Sequence, residues 1–109
     1  MLSVYPAVFL GSEEEGGYCV IIPDLNYCGT QGDTIEEAMF MAMDCIAGHL
    51  MLLKEDGKKI PVPSRIEQID VQAICDYLEI EAGKHFVTLV SVDAEEHAKK
   101  YFEKPVKKI

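Results

Sequence analysis

The sequence predicts an α+β fold in the order β-β-β-α-β-α. A three-stranded antiparallel meander comes first, then a long helix packed on the sheet, then a further strand and a short C-terminal helix. Three observations carry this expectation. The β-branched and aromatic run Tyr18 to Ile22 stands between the turn Gly16-Gly17 and the break Pro23-Asp24, and such punctuation delimits a strand. A helical apolar period opens after Thr34 and continues to about Glu55, far beyond strand length. A second β-branched run, within His85 to Val92, leads directly into Asp93 and Glu96, the spacing of a helix start.

The elements follow in order. Leu2 to Leu10 reads as the first strand; Pro6 lacks an amide hydrogen, which places that position at a sheet edge or a strand start. Gly11 to Gly17 is a turn, so this strand pairs with Tyr18 to Ile22, and Tyr27 to Gln31 extends the hairpin to a meander. These strands are apolar on both faces. One face should carry the long helix, and the other a second helix or a partner.

Gly32 frees the backbone before that helix, Asp33 stands where an N-cap belongs, and Glu36 completes the capping-box spacing. Asp56-Gly57 closes the helix, and Pro61 and Pro63 prevent its resumption. At 3.6 residues per turn, Ile35, Ala38, Met39, Ala42, Ile46, Leu50 and Leu53 form the core stripe. The opposite stripe, with Glu37, Phe40, Met41, Asp44, Ala47, Gly48 and Met51, is too apolar for open water. Either Ile66 to Ile80 or the last helix folds back over Phe40 and Met51, or else Phe40, Met41, Ala47, Gly48 and Met51 form a self-association face.

Asp70 to Leu78 fits a short helix through Val71, Ile74 and Leu78, although alternation at Ile74, Asp76 and Leu78 also suits a strand turning across Glu81 to Lys84. At the end, Asp93 caps a helix with acids at its start and Lys99-Lys100 at its close, matching the helix dipole. The organisation expected is one domain over residues 1–102 and a basic tail over 103–109.

Composition narrows the functional classes. The net charge is −9, but residues 1–98 hold 18 acids against 5 bases, and residues 99–109 hold 5 lysines against one glutamate. An acidic body repels nucleic acid and attracts basic partners. No stretch is long and apolar enough for a membrane span, and no export leader is seen, so a cytoplasmic protein is expected. Cys19, Cys28, Cys45 and Cys75 have no zinc spacing and read as buried thiols rather than a disulfide framework.

No nucleophile motif, phosphate loop or dinucleotide fingerprint accompanies the scattered His49, His85 and His97, each of which reads as structural. His97 is placed on a surface helix. Asp24, Asp33, Glu36 and Glu37 are close enough to raise a metal question, but Asp33 and Glu36 already have capping roles. The acidic triplet Glu13 to Glu15 reads as a solvated hairpin tip. Neither enzymatic activity, a cofactor nor a bound metal is expected.

The run GGYCVIIPDLNYCGTQGDT, Gly16 to Thr34, resembles the HicB family of bacterial antitoxins. So do YPAVF at Tyr5 to Phe9, EEEGG at Glu13 to Gly17, Asp56-Gly57, IPVPS at Ile60 to Ser64, and VSVDAEEHAKKYFEKPVKK from Val90 to Lys108; Gln68 to Gly83 matches poorly. The resemblance implies a partial ribonuclease-H-like domain. It also implies a partner, a small basic HicA-type ribonuclease toxin acting on mRNA, which the domain binds and occludes without any chemistry of its own. The contact is expected at Asp24, Tyr27, Gln31, Asp33 and Glu37, where polar groups gather about the loop and the helix start; the same residues could simply shape that loop.

Family members commonly continue past such a KPVKK segment into a DNA-binding module. This chain stops at Ile109, so specific DNA binding is not expected of it. Two other readings stand beside the antitoxin. One is a solitary oligomeric domain using the Phe40 stripe. The other is a weak nuclease needing Asp24 or nearby acids to hold magnesium.

Overall fold

A computed structural model describes residues 1–12, 14 and 16–102. The basic tail expected over 103–109 and two residues of the acidic triplet lie outside the described residues.

A four-stranded antiparallel sheet, in the order β3-β2-β1-β4, is built from β1 (Ser3–Gly11), β2 (Tyr18–Ile22), β3 (Cys28–Gly32) and β4 (His85–Val92). The fold is thus α+β. The meander of β1 to β3 is present, and β4 pairs with the outer side of β1 over eight residue pairs, from Ser3↔Val92 to Leu10↔His85.

Pro6 therefore sits in a strand with two neighbours. Pairing with β2 begins only at Val8↔Ile21, so at Pro6 β1 still has one open side, where a missing amide hydrogen costs no ladder bond.

Alternation along the strands sends Tyr5, Ala7, Phe9, Val20, Ile22, Val90 and Val92 to one face, under α1 (Ile35–Glu55). Ala38, Ala42, Ile46, Ala47 and Leu50 of that helix complete this larger core. The opposite face sends Val8, Leu10 and Ile21 against Ile74 and Cys75 of α2 (Val71–Leu78). The ambiguous 70–78 segment is therefore a helix, capped by Asp70, whose Oδ1 accepts from the Ala73 amide at 3.0 Å. Its three apolar positions meet a sheet face that would otherwise be bare, and burial settles what alternation left open.

The start of α1 differs by one residue from the expected cap. Thr34, not Asp33, is the N-cap: its Oγ1 accepts from the Glu37 amide at 3.1 Å, while Glu37 Oε1 accepts from the Asp33 amide at 3.4 Å. Gly32 is needed for space: a Cβ there would lie 2.4 Å from the Ala38 nitrogen, so β3 and the first turn of α1 touch backbone to backbone. The helix ends as expected. Gly57, at φ 66°, donates to the Lys54 carbonyl, and Lys58 donates to that of Leu53, the paired bonds of a Schellman motif.

After β4, Asp93 caps α3 (Ala94–His97), accepting from the Glu96 amide at 3.1 Å. A π-helical turn, Ala98–Phe102, continues it. This segment lies along the outer stripe of α1. His97 is consequently not a surface residue: it is 5% exposed, its Nε2 lies 3.0 Å from Asp44 Oδ1, and its ring packs with Phe40, Tyr101 and Phe102. The charged residues around His97 masked its role, because the partner Asp44 is 53 positions away.

The readings of three cysteines change. Cys28 faces α1 and is joined to Cys45 by a disulfide, tying the edge strand to the helix. Cys19 is exposed rather than buried, because it lies past the end of α2, where a cleft of about 660 Å³ lined by Leu10, Ile80 and Lys84 opens. Cys75 is buried as expected, and burial raises its pKa, with Asp76 and Cys19 adding to the effect.

Candidate functional site

The loop between β2 and β3 begins with a 3₁₀ turn, Pro23–Leu25, whose Leu25 is fully buried in the main core. Asn26 and Tyr27 then both adopt φ 56°. Left-handed backbone costs roughly 1–2 kcal/mol for a non-glycine residue, and a tyrosine there is uncommon. The local strain turns the Tyr27 ring away from the core and onto Tyr77 of α2, with centroids 4.9 Å apart and planes inclined by 35°. Both rings remain exposed to solvent.

From Tyr27 the chain runs up β3. Gln31 pairs with Cys19 and so lies on the α2 face of the sheet, exposed. Asp33, Glu36 and Glu37 follow at the start of α1, all exposed. The outer edge of β3 receives no backbone hydrogen bond from any described residue. Tyr27, Gln31, Asp33 and Glu37 thus border one free strand edge, with an aromatic pair at one end and carboxylates at the other.

Asp24 has a different setting. Its Oδ2 accepts from the Ser64 amide at 2.8 Å and its Oδ1 from the Ser64 hydroxyl at 2.6 Å. Ser64 belongs to the segment that crosses the end of the sheet from α1 to α2. The Tyr5 hydroxyl donates to the Pro61 carbonyl of the same segment at 2.6 Å. Burial, and then the charge of Asp24, raise the Tyr5 pKa above its ordinary value. Asp24 therefore clasps the crossing segment, which delivers α2 and Tyr77 to the site. Neither Ser64 nor Tyr77 was singled out from sequence, since no spacing rule connects residues 40 and 50 positions apart.

The outer stripe of α1 is largely used within the chain. Ala47 is fully buried in the main core, and a Cβ on Gly48 would lie 3.9 Å from the Phe102 ring. Phe40 stacks edge-on against Tyr101 at 4.9 Å, so the last helical segment does fold over it. Met41 and Met51 remain half-buried.

Among the described residues no three His, Cys, Asp or Glu side chains converge as a cation site. Likewise, among the described residues no helix is long and apolar enough to cross a membrane.

Comparison with known proteins places the chain in a family. A family described as HicB-like antitoxin of bacterial toxin–antitoxin systems matches residues 5–104. Antitoxin HicB 1 of Photorhabdus laumondii is 42% identical over 76 residues, covering 70% of this chain and 44% of that protein; the chain spans about half the length, or less, of such curated relatives. Among solved structures, a toxin–antitoxin complex from Streptococcus pneumoniae superposes with a TM-score of 0.78 at 29% identity, covering all of this chain and 80% of that one. The N-terminal domain of the antitoxin HicB of Burkholderia pseudomallei gives 0.60 at 25% identity, covering 84% and 99%.

Proposed function

The chain belongs to the HicB-like antitoxin family of bacterial toxin–antitoxin systems, and from that premise we propose that it neutralises a small basic HicA-type ribonuclease by covering its RNA-binding surface. The observation that carries this reading is the β3 edge. An open strand edge, an exposed Tyr27–Tyr77 pair and the carboxylates of Asp33 and Glu37 lie together on an acidic chain of net charge −9. A basic groove shaped for the phosphate backbone is attracted to such a surface, and carboxylates there compete with phosphates for the same lysines and arginines. Aromatic side chains beside them supply the desolvated anchors that dominate interface energies.

In this reading Tyr27, Gln31, Asp33 and Glu37 touch the toxin, and Asp24 acts from inside by holding the crossing segment. The solved neighbour from S. pneumoniae is itself a toxin–antitoxin complex, which supports a protein partner for this domain. The solitary-domain and nuclease readings gain no comparable support.

The test is co-expression with a small basic ribonuclease encoded beside the gene, read by growth rescue and by binding titration at two salt concentrations. Wild-type protein rescues. Glu37→Lys combined with Tyr27→Ala weakens binding by about 2–4 kcal/mol, with rescue lost and the fold intact by circular dichroism. Undiminished binding by that pair would remove the β3 edge from the interface.

A further inference from the structure

We propose that the Cys28–Cys45 bridge is a reversible redox switch for the Tyr27 loop: the bridged form holds the docking face in shape, and the dithiol form lets it relax. The effect on the loop stands by itself, whereas the effect on a partner rests on the antitoxin reading.

The first observation is where the bridge attaches. Cys28 directly follows Asn26 and Tyr27, both at φ 56°. Leu25 directly precedes them and is fully buried in the main core. The two left-handed residues are therefore held between two anchors, a buried leucine and a disulfide. Such backbone in non-glycine residues persists only where its surroundings over-determine it. The loop's own bonding is weak: the Tyr27 amide donates to the Pro23 carbonyl at 3.4 Å, longer than an ordinary N–H···O bond.

The second observation is that the two ends of the bridge are held unequally. Cys45 lies within α1, between the fully buried Ile46 and Asp44, whose carboxylate meets His97. Cys28 opens β3, a five-residue strand paired on one side only. The far end of β3 stays fixed, because Gly32 passes against Ala38. Opening the bridge thus frees the loop and the start of the strand and leaves the helix in place.

The third observation concerns access and competition. Cys28 and Cys45 are both half-buried, within reach of small oxidants and thiols. The other two cysteines do not compete. Burial pushes the Cys19 thiol up, and burial, then Asp76 and Cys19, push up that of Cys75. Thiols held protonated are poor nucleophiles for exchange.

The chemistry balances with a peroxide as oxidant. The two thiols give up two electrons and two protons as the Sγ–Sγ bond forms, and the O–O bond of hydrogen peroxide breaks to leave two waters. A low-molecular-weight thiol such as glutathione reverses the step. Its thiolate attacks one bridge sulfur to form a mixed disulfide, and a second glutathione thiolate resolves it, leaving glutathione disulfide and, after protonation, both cysteine thiols.

The experiment compares the full wild-type chain after glutathione with the same protein after hydrogen peroxide, the bridge being located by peptide mass spectrometry. The dithiol form should lose nuclear magnetic resonance contacts between the Tyr27 and Tyr77 rings and exchange its amides faster over residues 26–30, with α1 unchanged. It should also bind the small basic ribonuclease encoded beside the gene roughly tenfold more weakly, the ratio that the cost of one left-handed residue corresponds to. A Cys28→Ser, Cys45→Ser double variant should match the dithiol form with or without peroxide, while Cys19→Ser switches as the wild type does. Peroxide that leaves Cys28 and Cys45 unbridged, a loop with the same contacts and exchange in both forms, or equal ribonuclease affinity of the two forms would each overturn the proposal. A loop that follows the redox state while neither form binds the ribonuclease would support the switch and overturn the antitoxin reading instead.

Discussion

Removing the Asp24 carboxylate should loosen the site without touching its surface. Both carboxylate oxygens accept from Ser64, at 2.8 and 2.6 Å, in a part-buried setting. Hydrogen bonds to a charged group contribute about 1.5–3 kcal/mol each, but Ser64 can regain water once the segment lifts. Asp24→Ala is therefore expected to cost about 2–3 kcal/mol. Ser64→Ala, which removes only the hydroxyl, costs about 1.5 kcal/mol. Because the two act through the same contact, the double variant should be little worse than Asp24→Ala alone, leaving a coupling of about 1.5 kcal/mol. Urea unfolding of all four proteins measures this, with m-values checked for constancy. Simple additivity would refute the clasp. Asp24→Asn adds a second discrimination: full stability with lost toxin binding would make Asp24 a contact residue after all.

Three further expectations follow from single features. Gly32→Ala places a Cβ 2.4 Å from the Ala38 nitrogen and should destabilise by about 3 kcal/mol or more; Gly29→Ala, whose nearest neighbour would be 3.7 Å away, should stay within about 1 kcal/mol of the parent in the same unfolding assay. The Cys28–Cys45 bridge closes a separation of 17 residues, for which loop entropy gives about 3 kcal/mol, so adding a reductant should lower the unfolding midpoint of the wild type and leave a Cys28→Ser, Cys45→Ser double variant unmoved. Tyr5 is raised above its ordinary 10.0, first by burial and then by Asp24. Its contribution is complete below that pH and is lost as pH rises through the folded value. Thermal unfolding into the alkaline range should show this decline in the wild type and a smaller one in Tyr5→Phe.

Patterning carried the sheet and α1 because each lies in one uninterrupted signal. The Tyr18 to Ile22 run and the His85 to Val92 run both form strands, burying Val20, Ile21, Ile22, Val90 and Val92, and the core stripe of α1 packs on the larger core. The helix cap moved by one residue because two adjacent capping spacings, Asp33 to Glu36 and Thr34 to Glu37, overlap in the sequence. Geometry chose the one that lets Gly32 pass under Ala38. What the sequence did not display was long-range pairing. The Cys28–Cys45 bridge, the Asp44–His97 hydrogen bond and the Asp24–Ser64 clasp join residues 17, 53 and 40 positions apart, and no local rule selects such partners. The site inherits this limit: the loop about Tyr27 stood out at once, whereas Tyr77 was hidden in the segment that matched the family least.

The three long-range ties divide the molecule unequally, and that division has a functional reading. The bridge and the Asp44–His97 pair fasten β3 and α3 to α1, which shares the larger core with the sheet. Helix α2 rests on the smaller core of Val8, Leu10, Ile21, Ile74 and Cys75, and its approach depends on the Asp24 clasp and on the Tyr5–Pro61 hydrogen bond. Elements held by few buried contacts open at lower free energy than the body they rest on. The Tyr27 side of the proposed docking face is thus anchored to the sheet, and the Tyr77 side to the element that opens first. A partner that packs against both rings must stabilise the closed arrangement, so part of its binding energy is spent ordering α2, and affinity becomes sensitive to residues, such as Ser64, that never touch it.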